Sequence, residues 1–264
     1  MTEISAALVK QLRDQTGAGM MDCKRALVET GGDIEEARRL LREKGLAEAG
    51  KRAGRETTEG KVLARTENGR GAMVAVGCET EPVSNNEEFL AFARRLLESV
   101  ERQGPEAADS FEGERAELVA KLGENIVVNG AERYEAEDTE VVSAYIHPPA
   151  QKIGVLVRAK ASPDLARLVA MHIAASRPTY VSREQIPEAE VNAERAIYEK
   201  LPDVESKPDD VRPRIVEGML EKRFFAQNVL ADQPWIHDPD LTVGRALAEH
   251  GAEVRNFVRY NVGE

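Results

Sequence analysis

Twice along this 264-residue chain, two strand-like runs are followed by an amphipathic helix, a second helix and a closing strand, and this repetition constrains the fold more than any single motif. In the first unit, Lys61 to Glu67 and Gly71 to Cys78 flank Asn68-Gly69, a pair suited to a type I′ turn because both central residues need positive φ. Ser84 and Glu87 then have the spacing of a capping box, and Phe89, Phe92, Ala93, Leu96, Leu97 and Val100 keep one apolar face over three turns. In the second unit, Val141 to Ile146 and Ile153 to Ala159 are joined by a loop containing Pro148-Pro149. Its helix opens at Ser162-Pro163 and carries Leu165, Leu168, Val169 and His172 on one face. The closing pieces echo each other as well. Ala116 to Glu124 runs into the strand-like Asn125 to Tyr134, Gly244 to Gly251 leads through Ala252-Glu253 into Val254 to Val262, and each strand holds Arg-Tyr near its end. The pattern predicts an α+β fold with a duplicated core, each half a three-stranded antiparallel sheet with helices on one face.

Residues 1–45 read as three short helices, with stripes Ile4-Leu8-Leu12, Met20-Cys23-Leu27 and Ile34-Ala37-Leu41. Thr16-Gly17-Ala18-Gly19 and Gly31-Gly32-Asp33 break them, and Asp33 with Glu36 is placed as an N-cap and its N3 partner. So small a three-helix bundle buries little surface alone, and is expected to ride on a larger body through a charged linker at 46–60. The core halves would then span 61–140, and 141–181 with 230–264. Between the last two pieces lies an insertion, 182–229, with amphipathic segments around Val191, Ile197 and Tyr198 and around Val211, Ile215 and Met219. It reads as an antiparallel helical hairpin arm, with self-association as one use for it.

Charge directs the search for a partner. With 36 Lys and Arg against 47 Asp and Glu, the net charge of −11 argues against a nucleic-acid footprint, which needs clustered cations. The basic stretch Arg38, Arg39, Arg42, Lys44, Lys51, Arg52 and Arg55 is interleaved with Glu43 and Glu56 and reads as a solvated helix face. No apolar run approaches the roughly 20 residues that cross a bilayer, and no apolar h-region opens the chain, so a cytoplasmic address without membrane contact is expected. Cys23 and Cys78 lack a metal-ligand spacing and are expected as free core thiols.

Phosphate-loop, dinucleotide, zinc-protease and nucleophile-elbow motifs are all missing, so neither catalytic residues nor a cofactor or metal site is expected. Of four histidines, His172 reads as a core residue and His250 as a complement to a helix C-terminus. What remains are apolar or unusual residues in loops, the type that marks protein contacts. Met20 and Met21 follow a glycine loop, one expected to enter the bundle core while its neighbour faces outward. Trp235 and Ile236 follow Gln233-Pro234 and suit a partner anchor as well as a core plug. The corner from Cys78 to Ser84 holds an acid and a rigid proline; strand exit and helix cap is its plainer account.

These segments carry a resemblance. Leu8-Val9-Lys10 with Leu12-Arg13, and Thr16-Gly17-Ala18-Gly19-Met20-Met21-Asp22-Cys23-Lys24 with Ala26-Leu27, are similar to the N-terminal module of the elongation factor Ts family. The similarity continues through Gly123-Glu124-Asn125-Ile126, Lys152 to Val157, Ala170 to Ser176 with Pro178, Gln233-Pro234 and Thr242-Val243-Gly244, and so covers essentially the whole chain. It implies a ubiquitin-associated-like bundle, a duplicated α+β core and a helical arm. It also implies a guanine nucleotide exchange factor, not an enzyme, that binds the GDP-bound and nucleotide-free forms of the translational GTPase elongation factor Tu. By the same resemblance, Arg13, Met20 and Met21 contact a helix of the GTPase's nucleotide domain. Ile126 and His147 add core contacts, and Trp235, Ile236 and His237 touch a more distant domain. The family's Thr-Asp-Phe-Val turn, which wedges beside the nucleotide and disturbs bound Mg2+, falls on Thr80, Glu81, Pro82 and Val83. Here the sequence departs. Glu81 keeps the charge on a longer arm, but Pro82 removes the aromatic ring and stiffens the corner. The alternative implied by that departure is a paralogue that binds the GTPase without efficient exchange.

Overall fold

The structure, a computed structural model, describes residues 4–264; residues 1–3 of the expected N-terminal bundle lie outside the described residues. Helix α1 (Ala6–Thr16) opens where the Ser5 side chain accepts from the Leu8 amide and closes at Gly17, whose φ of 67° admits the left-handed turn. Helices α2 (Met20–Glu29) and α3 (Ile34–Arg52) follow, the latter capped by Asp33, which accepts from the Glu36 amide at 3.0 Å. The three close around Val9, Leu12, Cys23, Ala26, Leu27 and Ala37.

Two expectations are corrected here. Met20 does not join this core: it is the first residue of α2, and the end of the stripe is filled by the partly buried Ala18 instead. Nor does α3 stop near residue 45. It runs on to Arg52, turning the first half of the expected linker into helix. Gly45, inside this helix, is small for packing reasons: a Cβ there would come within 2.6 Å of that of Ala120. With the Arg42–Glu117 ion pair at 3.0 Å, this contact seats the bundle on the core.

Strands β1 (Glu59–Glu67) and β2 (Arg70–Cys78) pair antiparallel through Asn68 and Gly69, both at positive φ as the turn requires. The chain continues through a short helix α4 (Glu81–Ser84), α5 (Glu87–Gln103), a 3-10 segment (Pro105–Phe111), α6 (Glu112–Leu122) and β3 (Ile126–Glu135). All six residues of the expected α5 face are buried. Its cap, however, is Asn86, whose side chain accepts from the Glu88 amide at 2.8 Å, and not Ser84. The Ser84 hydroxyl closes α4 instead by donating to the Glu81 carbonyl at 2.8 Å.

The second unit places β4 (Val141–Ile146) and β5 (Ile153–Lys160) before α7 (Pro163–Ser176). The inserted segment holds α8 (Glu188–Glu199), α9 (Pro202–Glu205), α10 (Arg212–Met219), a π-helical turn (Leu220–Phe225) and α11 (Ala226–Asn228). A small ribbon of β6 (Pro234–Trp235) and β7 (Asp238–Thr242) leads to α12 (Val243–Glu249) and β8 (Glu253–Asn261). On α7, Leu168 is 37% exposed rather than core, because Ala166, Val169, Ala170 and Ile173 make the buried face and rotate it outward.

The sheets have the orders β1-β2-β3 and β4-β5-β8, all antiparallel, so the α+β reading and its duplication hold. The repetition reaches individual residues. Gly71 lies opposite Tyr134 and Gly154 opposite Tyr260, and at the same offset beyond each glycine the register shifts, at Ala75/Val76 and Arg158/Ala159. Helices α5 and α6 cover one face of the first sheet, α7 and α12 one face of the second. The two remaining faces meet in a core of Val62, Met73, Ala75, Leu156 and Val262, flanked by Tyr134 and Tyr260. The central strand β2 is therefore buried from Gly71 to Cys78 without alternation. Close approach needs the paired glycines: a Cβ on Gly71 would overlap Val142, and one on Gly154 would overlap Val62 and lie 3.0 Å from the Met73 sulfur.

The insertion packs on its own cluster, which includes Tyr198, Val216, Leu220, Phe224 and Val229. Its two ends are stitched together. The Thr179 and Tyr180 amides donate to the Asn228 carbonyl, Leu230 donates to Tyr180 and Ala231 to Val181. No helix among the described residues is long and apolar enough to cross a membrane.

Candidate functional site

Strand β2 leaves its sheet at Cys78, and the chain turns through Glu79 and Thr80 into α4. The turn is fixed from the opposite strand end. One Glu124 oxygen accepts from the amides of Glu79 and Thr80 at 3.1 and 3.0 Å, and the other accepts from the Thr80 hydroxyl at 2.5 Å. Glu79 reciprocates, its carboxylate accepting from the Asn125 amide at 2.6 Å while Arg55 lies 3.4 Å away. The Asn125 side chain in turn donates to the Arg55 carbonyl at 2.8 Å, tying the chain beyond α3 to the same place.

Beneath the corner, burial first and then the Glu124 charge push the Cys78 thiol up to about 12. It stays protonated and donates to the Thr80 carbonyl at 3.3 Å, so it supports the turn and is no nucleophile. Thr80, Glu81 and Pro82 are exposed, while Val83 packs partly on the first core. Pro82 sits in the first turn of α4, where its missing N–H would have had no helical partner. The corner thus accommodates proline in its backbone and lacks only a large apolar ring.

Met20 and Met21 stand 58% and 62% exposed at the start of α2, with Val28 60% exposed near its end and Arg13 exposed on α1. Lys121 of α6 joins this region to the corner. Its side chain lies over Gly17, where a Cβ would overlap it, and its ammonium is 2.8 Å from Glu88 beside the Asn86 cap. The glycine loop that precedes the methionines is therefore held alongside the segment that leaves the corner.

The remaining expected residues divide. Ile126 is fully buried at the start of β3, with its carbonyl accepting from Arg115 at 2.7 Å, so it anchors the strand and offers no surface. His147 is exposed after β4, its ring bonded to the Tyr145 hydroxyl at 3.0 Å. Trp235 is a plug over the second core, its ring between His172 at 5.2 Å and His237 at 4.8 Å. Ile236, 43% exposed, and the exposed His237 carry the surface at that place. Among the described residues no hydrogen bond, ion pair or ring contact links His147 or the Trp235 loop to residues 79–83.

The loop is held by His172, which is completely buried. Its Nε2 lies 2.8 Å from the Gln233 side-chain oxygen, and its Nδ1 accepts from the Ile236 amide at 3.4 Å. An acceptor Nδ1 places the proton on Nε2, and burial lowers the pKa, so the ring is neutral. Glu124 entered the sequence reading only within the stretch Gly123 to Ile126, with no role of its own. An acid after a helix-ending glycine carries no signal of its own; only the pairing that sets Cys78 opposite Ile126 brings it to the corner. The described residues hold no group of three or more His, Cys, Asp or Glu that could bind a metal.

The family model described as Elongation factor TS matches residues 79–264. Similar curated proteins include the elongation factor Ts of Shewanella amazonensis, 44% identical and covering 99% of this chain and 91% of that relative. That of Pasteurella multocida is 44% identical over 100% of this chain and 93% of its own length. That of Haemophilus influenzae is 42% identical with the same coverage.

Proposed function

The chain belongs to the elongation factor Ts family, and from that premise we propose that it is a guanine nucleotide exchange factor that drives GDP off elongation factor Tu during translation. The observation that carries this reading is the exposed, rigidly held corner at Thr80 to Val83, with the exposed methionine pair and its glycine loop seated beside it. Bound GDP in such a GTPase is held by backbone amides, a lysine and Mg2+, so a post that enters there and displaces the ion removes much of the affinity. Glu81 supplies the charge that competes for the cation. Met20, Met21 and Arg13 grip the nucleotide domain, and Ile236 with His237 grips a second place, which offsets the nucleotide's lost binding. Coupling is reciprocal: GDP weakens the factor's affinity by the same ratio by which the factor weakens that of GDP. No bond is made or broken in this chain.

A second reading is favoured by one observation, that Pro82 presents no aromatic ring to insert between helices of the partner. It is a paralogue that binds the GTPase without efficient exchange. Release of a fluorescent GDP analogue from the cognate elongation factor Tu, at fixed Mg2+ and excess unlabelled GDP, separates the two. Many-fold acceleration is the expected result; tight binding with the basal release rate would establish the paralogue instead.

A further inference from the structure

We propose that Glu124 is the positioning residue of the exchange corner, setting the direction in which Thr80 to Val83 meets the partner; this rests on the exchange reading above. The sheet leaves this task undone. Pairing of β2 with β3 ends at Cys78 opposite Ile126, so the next two amides, Glu79 and Thr80, have no strand to serve them. The Glu124 carboxylate takes both amides and the Thr80 hydroxyl as well, fixing three donors on consecutive residues. Bonds to an ionised acceptor are roughly twice as strong as neutral ones.

The carboxylate is itself immobilised from both sides. Before it, Gly123 ends α6 at φ 78° with its amide bonded to the Val119 carbonyl. After it, the buried Asn125 binds Glu79 through its amide and Arg55 through its side chain. Helix α4, only four residues long, turns just Val83 and Ser84 inward, so the turn before it carries much of its orientation. Its aim is inherited from the turn that Glu124 holds. Pro82 continues that rigidity by fixing φ in the first helical turn. A ring that wedges can adapt its rotamer to a pocket, whereas a proline post works only if its base is correctly set. Glu124 is what sets the base.

The test uses the full chain and the cognate GTPase loaded with a fluorescent GDP analogue, following release across factor concentration to separate plateau rate from half-saturating concentration. Glu124→Ala removes the carboxylate that all three donors use. Misplacement of the corner should lower the plateau about tenfold or more. The half-saturating concentration, set by the methionine and Ile236 patches, should move by no more than about twofold. Thr80→Val, which loses the hydroxyl bond to Glu124, should lose part of the plateau. Amide hydrogen exchange of the free protein reads the clamp without the GTPase, and Glu79 and Thr80 should lose protection in Glu124→Ala. A wild-type plateau in that variant, equal losses of plateau and affinity, or unchanged protection would each overturn the role of Glu124. If Glu124→Ala does not fold, Thr80→Val tests the same clamp through the protection of the Glu79 and Thr80 amides. Failure of the unaltered chain to accelerate release would instead overturn the exchange reading, leaving the protection result to stand on its own.

Discussion

A single buried imidazole shows how a core residue can hold an exposed loop. His172 accepts from the backbone of Ile236 only while its Nδ1 is unprotonated, and burial holds its pKa below the ordinary value. The unfolded chain takes up this proton near pH 6.5, the folded chain only at lower pH. The contribution to stability is therefore complete above about pH 6.5 and is lost as pH falls through that value toward the depressed one. Urea midpoints at pH 7.5 and 5.5 should fall more in the unaltered protein than in His172→Gln, and equal falls would show that this ring does not link pH to stability. The residue was legible as core from its place on an apolar helix face. Trp235 was legible only as one of two things, and Glu124 only as part of a family-like stretch and not by its role, because its partners are set by tertiary pairing and not by spacing.

At the level of the element, α2 presents an unshielded line of Met20, Met21 and Val28 while its other side closes the bundle. These three side chains stand largely exposed, so Met20→Ala should change stability by less than about 0.5 kcal/mol. If the side chain grips the GTPase, the same change should weaken factor-stimulated GDP release about tenfold, as truncation of an interface anchor does. A large drop in melting temperature with unchanged exchange would refute the contact. Elements with a clean period were readable almost to the residue: the Asn68-Gly69 hairpin, the α5 face, and β4 with β5. Elements interrupted by glycine were not. The start of the 46–60 linker is helix, since α3 runs on to Arg52 with Gly45 trimmed to let it lie on Ala120, and the α5 cap moved to Asn86 because a separate turn had claimed Ser84.

For the whole molecule, the decisive feature is that the two like sheets use each other as the second layer. A Cβ at Gly154 would press on Val62, Ile146 and Met73, so Gly154→Ala should cost about 1–3 kcal/mol by denaturant unfolding. Gly113→Ala, in an exposed stretch of α6 with no atom near the new methyl, is the control and should not destabilise. Equal effects would mean that the sheets are not in close contact. The duplication was visible in the sequence, but the face-to-face packing was not, since an uninterrupted apolar β2 does not say what lies on its second side. The stitched neck of the insertion has a consequence for the order of events during folding. Strand β8 must find β5 across roughly 90 residues of intervening chain, a slow, long-range search. An arm that has already closed at Tyr180 and Val229 removes about half of that chain from the loop, saving roughly 0.6 kcal/mol of closure entropy. The arm leaves the ribosome ahead of β8, so an arm that closes on emergence shortens the last strand's search before that strand arrives.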